Sequence, residues 1–257
     1  HRYVMKAERE MYEDPHLRGV ICNAEMIKRE IIEDFGLPAD KIHVIYNAID
    51  NQCFLPPGED TFAALRAKWQ LPLQATCLIY VGSGFERKGL AAAIRAIAPT
   101  DRYLLVVGKD KDQPRYQALA KSLNCEARVR FFGMQSETLP FYQMADGLLL
   151  PTLYDPFPNV ILEAMACGLP VLCRADPCLD GVVENGFNGW QWKDEAEFAS
   201  ALNTIISDPA LRGQLHQNAL ATAARYSAEH FAQQVLDAYQ QAIALKRYES
   251  EHKSILS

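Results

Sequence analysis

The chain has 257 residues, of which 49% are hydrophobic, and its formal net charge is −6. This apolar content is sufficient to bury the core of one large domain or of two small ones. The acidic balance argues against a broad nucleic-acid-binding surface, so an anionic ligand must meet local cations. No apolar stretch approaches the roughly 20 residues that span a bilayer, and no signal-peptide pattern opens the chain.

The cysteines and histidines predict neither a disulfide framework nor a metal site. The seven cysteines are odd in number, lie scattered through predicted core segments and form no C-x-x-C pair, which favours reduced thiols in a cytoplasmic protein. The six histidines show no spacing typical of metal ligands. The cysteines are Cys22, Cys53, Cys77, Cys125, Cys167, Cys173 and Cys178.

The first part of the chain predicts short elements and then a linker. It opens with HRYVMKAEREMYEDP, which lacks an initial Met and is typical of the middle of a helix, so we expect the chain to be part of a longer protein. Strands are predicted in LRGVICNA and KIHVIYNAID, on either side of an amphipathic helix over EMIKREIIEDFGLP. The turn-forming residues of NQCFLPPGED predict the linker.

From residue 76 onward strands and helices alternate, which predicts an α/β fold with a parallel sheet covered by helices on both faces. The loops that leave the strand C-termini gather at one edge of such a sheet, where ligands bind. We predict strands at 76–82, 103–108, 128–132, 146–151 and 170–173, with helices near 88–98, 113–123, 137–145 and 159–167. Further helices are predicted over 194–207, 209–225 and 228–247, followed by a frayed polar tail, KRYESEHKSILS.

Between the first of these strands and the following helix lies the glycine-rich segment VGSGFERKGL. It is not a G-x-G-x-x-G fingerprint, since Arg87 stands at the third glycine position, and it is not a P-loop, since Leu90 follows Gly89 where lysine is required. Arg87 and Lys88 still predict an anion-binding loop. Taken alone, the run ERKG is more typical of a solvated helix start.

The segment richest in functional signals is YDPFPNVILEAMACGLPVL. It predicts a short buried helix over 159–167, closed by Gly168. The first amides of this helix, those of Asn159, Val160 and Ile161, are predicted to be unpaired donors at a positive helix end, where phosphate binds.

Two carboxylates accompany this helix end. Glu163 lies about 6 Å further along the helix axis, where it could accept both hydroxyls of a ribose. Asp155 lies eight residues earlier, on the side where a sugar would be. Because a buried carboxylate needs donors, a salt bridge from Glu163 to a core arginine is the alternative interpretation.

The spacing Asp155-x7-Glu163 followed by AMACGLPV resembles the E-x7-E signature of the retaining glycosyltransferases of family 4, which have the B-type fold of two facing Rossmann-like domains. The segments VIYNAID, YVGSGFERKGL, LLVVGKD and VRFFGMQ occur in the order of that family. The resemblance spans roughly residues 15 to 245 and implies that the sheet is Rossmann-like. Two segments, VGSGFERKG and LLVVGKDK, are most similar to the lipopolysaccharide core glucosyltransferases that act on inner-core heptose.

The resemblance also implies roles for individual residues. Arg87 and Lys88 would stabilise charge on the donor diphosphate, and Asp155 would contact hydroxyls of the donor sugar, which makes these three the predicted catalytic residues. Glu163 would hold the ribose, and the backbone near Gly133 would cradle the base, although a simple turn explains Gly133 equally well. The remaining predicted donor-binding residues are Gly82, Ser83, Gly84, Met134, Pro158, Asn159 and Val160.

The sequence departs from the family pattern at several points. Asp155 replaces the commoner Glu, Ala48 stands where the family favours Gly, and CRADPCLDGVV lacks a Gly pair, which leaves contacts from 174–181 open. Asp110-Lys111-Asp112 matches the D-x-D that holds a metal in A-type glycosyltransferases, but a lysine between two carboxylates lowers cation affinity. We therefore expect metal-independent transfer without a cofactor, and a polar strand-end loop at this position.

By resemblance, residues 1–50 end the N-terminal acceptor domain and its interdomain strand, 51–225 form the nucleotide-sugar-binding domain, and 226–257 form the closing helix and tail. The family builds its acceptor site in the N-terminal domain, so no acceptor site is identified here. In the lipopolysaccharide core glucosyltransferases named above, a basic segment close to the part that residues 1–50 match touches the membrane. This implies a peripheral contact with the cytoplasmic face of the inner membrane, made through the missing N-terminal domain.

The prediction is retaining transfer of a sugar, by a front-face route, from a nucleotide-diphosphate sugar to a saccharide or glycolipid acceptor. Uridine diphosphate is the expected nucleotide, and lipopolysaccharide core or another cell-envelope glycan the expected product. A non-catalytic nucleotide-sugar-binding or scaffold module remains an open alternative. A nicotinamide-dependent oxidoreductase is disfavoured because no G-x-G-x-x-G is present and no acidic residue closes a following strand.

Overall fold

The computed structural model of the protein describes residues 2–153, 155–175, 179 and 181–253. The chain divides into a smaller unit, His1–Ala48 with Tyr226–Ser257, and a larger unit, Ile49–Arg225. The assignment of residues 1–50 to the end of an acceptor domain with its interdomain strand, of residues 51–225 to a nucleotide-sugar-binding domain and of residues 226–257 to a closing helix and tail remains a prediction.

Helices and strands alternate along most of the chain. The strands are β1 (Val20–Cys22), β2 (Ile42–Val44), β3 (Cys77–Val81), β4 (Tyr103–Val107), β5 (Val129–Gly133), β6 (Gly147–Leu150), β7 (Val171–Arg174) and β8 (Gly189–Trp192). The helices are α1 (Arg2–Tyr12), α2 (Glu25–Phe35), α3 (Glu59–Lys68), α4 (Leu90–Ile97), α5 (Gln113–Ser122), α6 (Leu139–Gln143), α7 (Asn159–Ala166), α8 (Glu195–Ser207), α9 (Pro209–Ala224) and α10 (Ala228–Lys253).

The smaller unit contains α1, β1, α2, β2 and α10. Strands β1 and β2 pair in parallel, with Val20 opposite Ile42, and Ile31 of α2 is buried in the small core beside them. Helix α10 continues to Lys253, so the predicted fraying from residue 246 is wrong for this stretch. Among the residues that the structure describes, no helix has a stretch both long and apolar enough to cross a membrane.

The larger unit is built on a six-stranded sheet with the order β5-β4-β3-β6-β7-β8. All neighbouring strands are parallel. After β3 the chain adds β4 and β5 towards one edge of the sheet. It then returns to the middle at β6 and adds β7 and β8 towards the other edge, so the order in which strands are added reverses between β3 and β6. Because crossovers are right-handed, this reversal places α4 and α5 on one face and α7 on the other. The predicted α/β class, with a Rossmann-like parallel sheet, is confirmed.

The strands in the middle of this sheet are apolar along their whole length. Every residue of β3 and β6 is buried, as expected for parallel strands covered on both faces. Leu90, Ile94 and Ile97 of α4 pack into the core on one face. All the strands predicted between residues 76 and 173 are present, with ends within two residues of those expected.

Two elements of the larger unit were not predicted. Helix α3 begins inside the expected linker and buries Arg66 instead of an apolar stripe. The guanidinium of Arg66 donates to Asp146 at 2.7 Å and to the carbonyl oxygens of Pro72, Leu73, Ala75 and Met144. Strand β8 reads GWQW and has no clear alternation. Its Gly189 is required because a Cβ there would lie 2.1 Å from the carbonyl oxygen of Val171.

Candidate functional site

The predicted site residues other than Gly133 and Met134 lie on the loops after β3 and β6 and at the start of α7, at the carboxyl end of the sheet. The loop after β3 and the loop after β6 are joined by a hydrogen bond of 3.0 Å from the amide of Leu153 to the carbonyl of Arg87. Gly89 has a φ of +75°, and a Cβ there would lie 2.0 Å from the carbonyl oxygen of Pro151. Only glycine therefore allows the two loops to approach so closely.

The loop after β3 is anchored in the core by Phe85. This side chain is fully buried, and its ring lies 5.4 Å from that of Tyr116 and 6.0 Å from that of Tyr80, measured between centroids. The predicted donor-binding residues Gly82, Ser83 and Gly84 precede it at the surface; Gly82 is half-buried and the other two are exposed. The loop thus has an apolar anchor beside its polar part.

The D-x-D segment orders this same loop. One carboxylate oxygen of Asp110 accepts from the amide of Phe85 at 2.8 Å, and the other accepts from the amide of Asp112 at 2.9 Å. These backbone hydrogen bonds lower the pKa of Asp110 below its ordinary value. The amide of Lys109 also donates to the hydroxyl of Ser83, at 3.3 Å. The geometry agrees with the interpretation of this segment as a polar strand-end loop.

The three predicted catalytic residues form one cluster. Lys88 donates a hydrogen bond to Asp155, and a guanidinium nitrogen of Arg87 lies 3.7 Å from the same carboxylate oxygen. The side chains of Lys88 and Asp155 are only 11% and 15% exposed, whereas that of Arg87 is 54% exposed. Lys88 is therefore held largely out of water beside a counter-charge, and Arg87 remains at the rim.

Helix α7 begins at the other side of the cluster. Pro158 is buried at its N-cap position, Asn159 is exposed and Val160 is half-buried. The amide of Ile161 donates to the carbonyl of Pro158 at 3.0 Å, so the prediction that this amide is unpaired is wrong. The helix ends as predicted, with Gly168 just beyond it in the left-handed region at a φ of +76°.

Glu163 of α7 is held by a tyrosine. The hydroxyl of Tyr142 donates to one carboxylate oxygen of Glu163 at 2.7 Å, and the ring of Tyr142 is fully buried. Burial raises the pKa of Glu163, while this hydrogen bond and the charge of Lys88 act in the opposite direction. The buried Arg66 pairs with Asp146 instead, so the alternative of a salt bridge from Glu163 to that core arginine is wrong.

The residues predicted to cradle the base lie further along the same edge. Gly133 ends β5, two strands from β3, and its carbonyl accepts from the amide of Gly108 at 2.8 Å. Its φ is +69° and a Cβ there would meet nothing within 4 Å, which agrees with the turn interpretation. Met134 follows with an exposed side chain. The base-binding role of both residues remains a prediction.

The cysteines and the segment after β7 bear on other predictions. Cys22, Cys77, Cys125, Cys167 and Cys173 are free and buried, whereas Cys53 is free and exposed, so the expectation that the cysteines lie in core segments is wrong for Cys53. Cys178 and the rest of 176–178 lie outside the described residues, as does residue 180. Whether residues 174–181 contact a donor therefore stays an open question. Among the described residues, no group of His, Cys, Asp and Glu side chains has the arrangement of a metal site.

Sequence reasoning missed Phe85 and Tyr142, and it weighed Asp110 as a metal ligand or as part of a polar strand-end loop, without a partner for its carboxylate. The need of Glu163 for a donor was a signal that a partner exists, but Tyr142 lies 21 residues away and nothing in the pattern selected it. Asp110 reaches Phe85 because β4 lies beside β3, which requires the strand order to be known.

Comparison with known proteins agrees with the fold and with the resemblance. Residues 61–222 match the family described as glycosyl transferases group 1, and residues 1–52 match glycosyltransferase family 4. LpsE of Rhizobium meliloti (strain 1021), a lipopolysaccharide core biosynthesis glycosyltransferase, is 32% identical over 231 residues, which are 88% of this chain and 64% of that protein.

Solved structures show the same architecture. Anabaena HepE in complex with UDP-glucose has a TM-score of 0.79 and 25% identity, covering 87% of this chain and 64% of that one. WaaG, a glycosyltransferase involved in lipopolysaccharide biosynthesis, has a TM-score of 0.74 and 22% identity, covering 85% of this chain and 61% of that one. The chain spans 53% to 64% of the length of the curated relatives it matches. Because the family match over residues 61–222 covers more than half of the chain, the protein belongs to the group 1 family of glycosyltransferases.

Proposed function

We propose that this chain provides the donor-binding part of a retaining glycosyltransferase, which transfers a sugar from a nucleotide-diphosphate sugar to a saccharide or glycolipid acceptor. The observation that carries the proposal is the cluster of Arg87, Lys88 and Asp155 between β3 and β6. In open α/β sheets, ligands bind in the crevice where the strand order reverses. This cluster occupies that crevice.

Two cations at this position suit a diphosphate leaving group. When the bond between sugar and diphosphate breaks, negative charge grows on the diphosphate, and fixed cations lower the free energy of that state. Lys88 is mostly shielded from water, where an ionic interaction is stronger than at the surface. The N-terminus of α7 adds partial positive charge on the other side.

Asp155 supplies the counter-charge that a shielded Lys88 needs. A bound diphosphate would compete with Asp155 for Lys88 and Arg87. The displaced carboxylate could then accept hydrogen bonds from hydroxyls of the donor sugar. Asp155 would therefore become available to the donor sugar when the diphosphate binds Lys88 and Arg87.

The finer parts of the proposal rest on resemblance to relatives. HepE is described in complex with UDP-glucose, and this supports uridine diphosphate as the nucleotide. LpsE and WaaG carry names that refer to lipopolysaccharide synthesis, which supports an acceptor of the lipopolysaccharide core or another cell-envelope glycan. A position at the cytoplasmic face of the inner membrane is implied by the family resemblance alone. Retention by a front-face route, in which the donor phosphate takes the acceptor proton without metal or protein nucleophile, is the mechanism that the resemblance implies.

Calorimetric titration of this chain tests the proposal, with UDP-, GDP- and ADP-sugars as ligands and no added metal. We expect selective binding of a UDP-sugar, and a loss of about 1.5–3 kcal/mol of binding free energy in Lys88→Ala, typical of a hydrogen bond to a charged group. Lys121→Ala is the matched control, because Lys121 is exposed in the last turn of α5. Equal binding by wild type and Lys88→Ala would contradict the proposal. Binding of the donor by this chain without donor hydrolysis or transfer would favour the non-catalytic alternative.

A further inference from the structure

The carboxylate of Glu163 accepts a hydrogen bond from Tyr142, a residue that its surroundings hold in place. Tyr142 lies in α6 with no exposed surface, and its hydroxyl donates to Oε2 of Glu163 at 2.7 Å. A buried tyrosine hydroxyl needs a polar partner, and this one is satisfied by a residue of another helix.

The ring of Tyr142 is held from the side by the segment that precedes α3. The ring of Phe54 packs edge-on against it, with centroids 5.9 Å apart. The neighbouring Gln143 donates from its side-chain amide to the carbonyl of Leu55 at 3.0 Å. These contacts and the complete burial of the ring leave the hydroxyl little freedom to move away from Glu163.

A ribose diol requires a carboxylate with a defined orientation. Two adjacent hydroxyls donate well only when the acceptor lone pairs face them, and a glutamate side chain in a helix can otherwise rotate its carboxylate freely. The hydrogen bond from Tyr142 occupies a lone pair of Oε2 and thereby sets the plane of the carboxylate. The other oxygen, Oε1, keeps its full capacity as an acceptor.

We propose that Tyr142 is a positioning residue: its buried hydroxyl orients the carboxylate of Glu163 toward the ribose of the donor and so produces a preference for ribose over 2′-deoxyribose. This inference rests on the proposed function, since it assigns Glu163 to the ribose. It adds a residue that does not touch the donor and acts only through Glu163.

Tyr142 also affects the ionisation of Glu163, on which ribose binding depends. Among the described residues, the groups that interact with this carboxylate are the hydroxyl of Tyr142 from α6, by a hydrogen bond, and the ammonium of Lys88 and the thiol of Cys167, electrostatically. Ribose hydroxyls donate hydrogen bonds, so they favour the ionised carboxylate. Burial raises the pKa of Glu163 and the bond from Tyr142 opposes this, so removal of the hydroxyl raises the pKa further.

The test compares the affinities of this chain for UDP and for 2′-deoxy-UDP, by calorimetric titration between pH 5 and 8. The wild type is expected to prefer UDP. Tyr142→Phe is expected to bind UDP about three- to ten-fold more weakly, while its affinity for 2′-deoxy-UDP changes less, so that the preference shrinks. The loss of UDP affinity on acidification should also begin at a higher pH in Tyr142→Phe than in the wild type.

Two further variants separate positioning from a general effect on the fold. Tyr103→Phe removes a tyrosine hydroxyl at the start of β4, at the amino end of the parallel strands and away from the carboxyl end where the site lies, and should leave both the preference and the pH profile unchanged. Glu163→Gln removes the titrating group and should lose both the preference and the pH shift. This variant keeps the inference testable if Tyr142→Phe folds poorly.

The outcomes distinguish this inference from the function on which it rests. A wild-type preference for UDP that either Tyr142→Phe or Glu163→Gln leaves intact would overturn the role of Tyr142 and keep the donor site. Absence of UDP binding by the wild type would overturn the donor site itself and the inference with it. A smaller preference and a shifted pH profile in Tyr142→Phe, without change in Tyr103→Phe, would support it.

Discussion

The loop after β3 and helix α7, which face each other across the site, hold their polar groups by different means. The loop has no regular structure and is fixed by the buried ring of Phe85 and the carboxylate of Asp110. Helix α7 has regular structure, and the carboxylate of its Glu163 accepts a hydrogen bond from Tyr142. The loop presents cations, which act over a distance, whereas the helix presents a carboxylate that must be oriented. A charge tolerates a less regular support than a directional acceptor does.

Truncation of Phe85, the apolar anchor of the loop after β3, should have the largest effect and should act on the loop side of the site alone. Phe85→Ala is expected to reduce the free energy of unfolding by about 3–5 kcal/mol, because it leaves a cavity beside Tyr80 and Tyr116. Urea unfolding measures this loss, and calorimetry should show weaker UDP binding at a temperature where the variant is folded. Phe187→Ala, at an exposed phenylalanine, is the control and should cost about 1 kcal/mol or less. Unchanged UDP affinity in folded Phe85→Ala would contradict the role of the anchor.

The two cations of the loop should differ in importance. Lys88→Ala is expected to lose about 1.5–3 kcal/mol of UDP binding free energy, since the hydrogen bond is to a charged group and largely shielded. Arg87→Ala should lose about 1 kcal/mol or less, because its side chain is mostly exposed and screened by salt. Titration at low and at high ionic strength measures both. If Arg87→Ala proves the more damaging of the two, the order of burial does not govern this site.

Asp155, which lies between the loop after β3 and helix α7, should weaken the binding of UDP that carries no sugar. Asp155→Asn is expected to bind UDP about three- to ten-fold more tightly, since Lys88 no longer has a charged competitor for the diphosphate. The same variant should lose the extra affinity that the sugar gives the wild type. Parallel titrations with UDP and with the preferred UDP-sugar measure this difference. A fall in UDP affinity would show that Asp155 organises the cations instead of competing for them.

The smallest expected effect is a change of stability with pH on the helix side. Burial raises the pKa of Glu163 in the folded protein, so protonation of this group favours folding. That contribution is complete at pH values below the pKa of an unfolded glutamate and is lost as the pH rises through the raised pKa. Glu163→Gln, which resembles the protonated form, should therefore be slightly more stable than wild type at neutral pH and equal to it in acid. Thermal unfolding from pH 4 to 8 measures this, with Glu137→Gln, at an exposed glutamate, as the matched surface control.

The sequence patterns predicted the sheet better than they predicted the contacts within the site. The strand CLIYV is apolar at every position, so its burial on both faces followed directly from the pattern. Helix α3 was missed because the residue that it buries is an arginine, which no apolar periodicity reveals. The pairing of Tyr142 with Glu163 joins two helices through tertiary packing, and no local rule selects one donor among those available. The alternation of strands and helices predicted that the loops carrying Lys88 and Asp155 meet at one edge, and the family resemblance implied their roles. The ion pair between them was not predicted, since 67 residues separate them.

The buried guanidinium of Arg66 limits where the larger unit, Ile49–Arg225, could be cut and joined to another protein. It binds the carbonyl oxygens of the turn before β3 and the carboxylate of Asp146 at the start of β6, and that same carboxylate accepts from the amide of Cys77 at 2.7 Å. A fragment that began at β3 would leave Asp146 without its cation. A chimaera that grafts this unit onto a different N-terminal half must therefore include α3, so the natural junction for recombination lies before residue 59 and not at the first strand of the sheet.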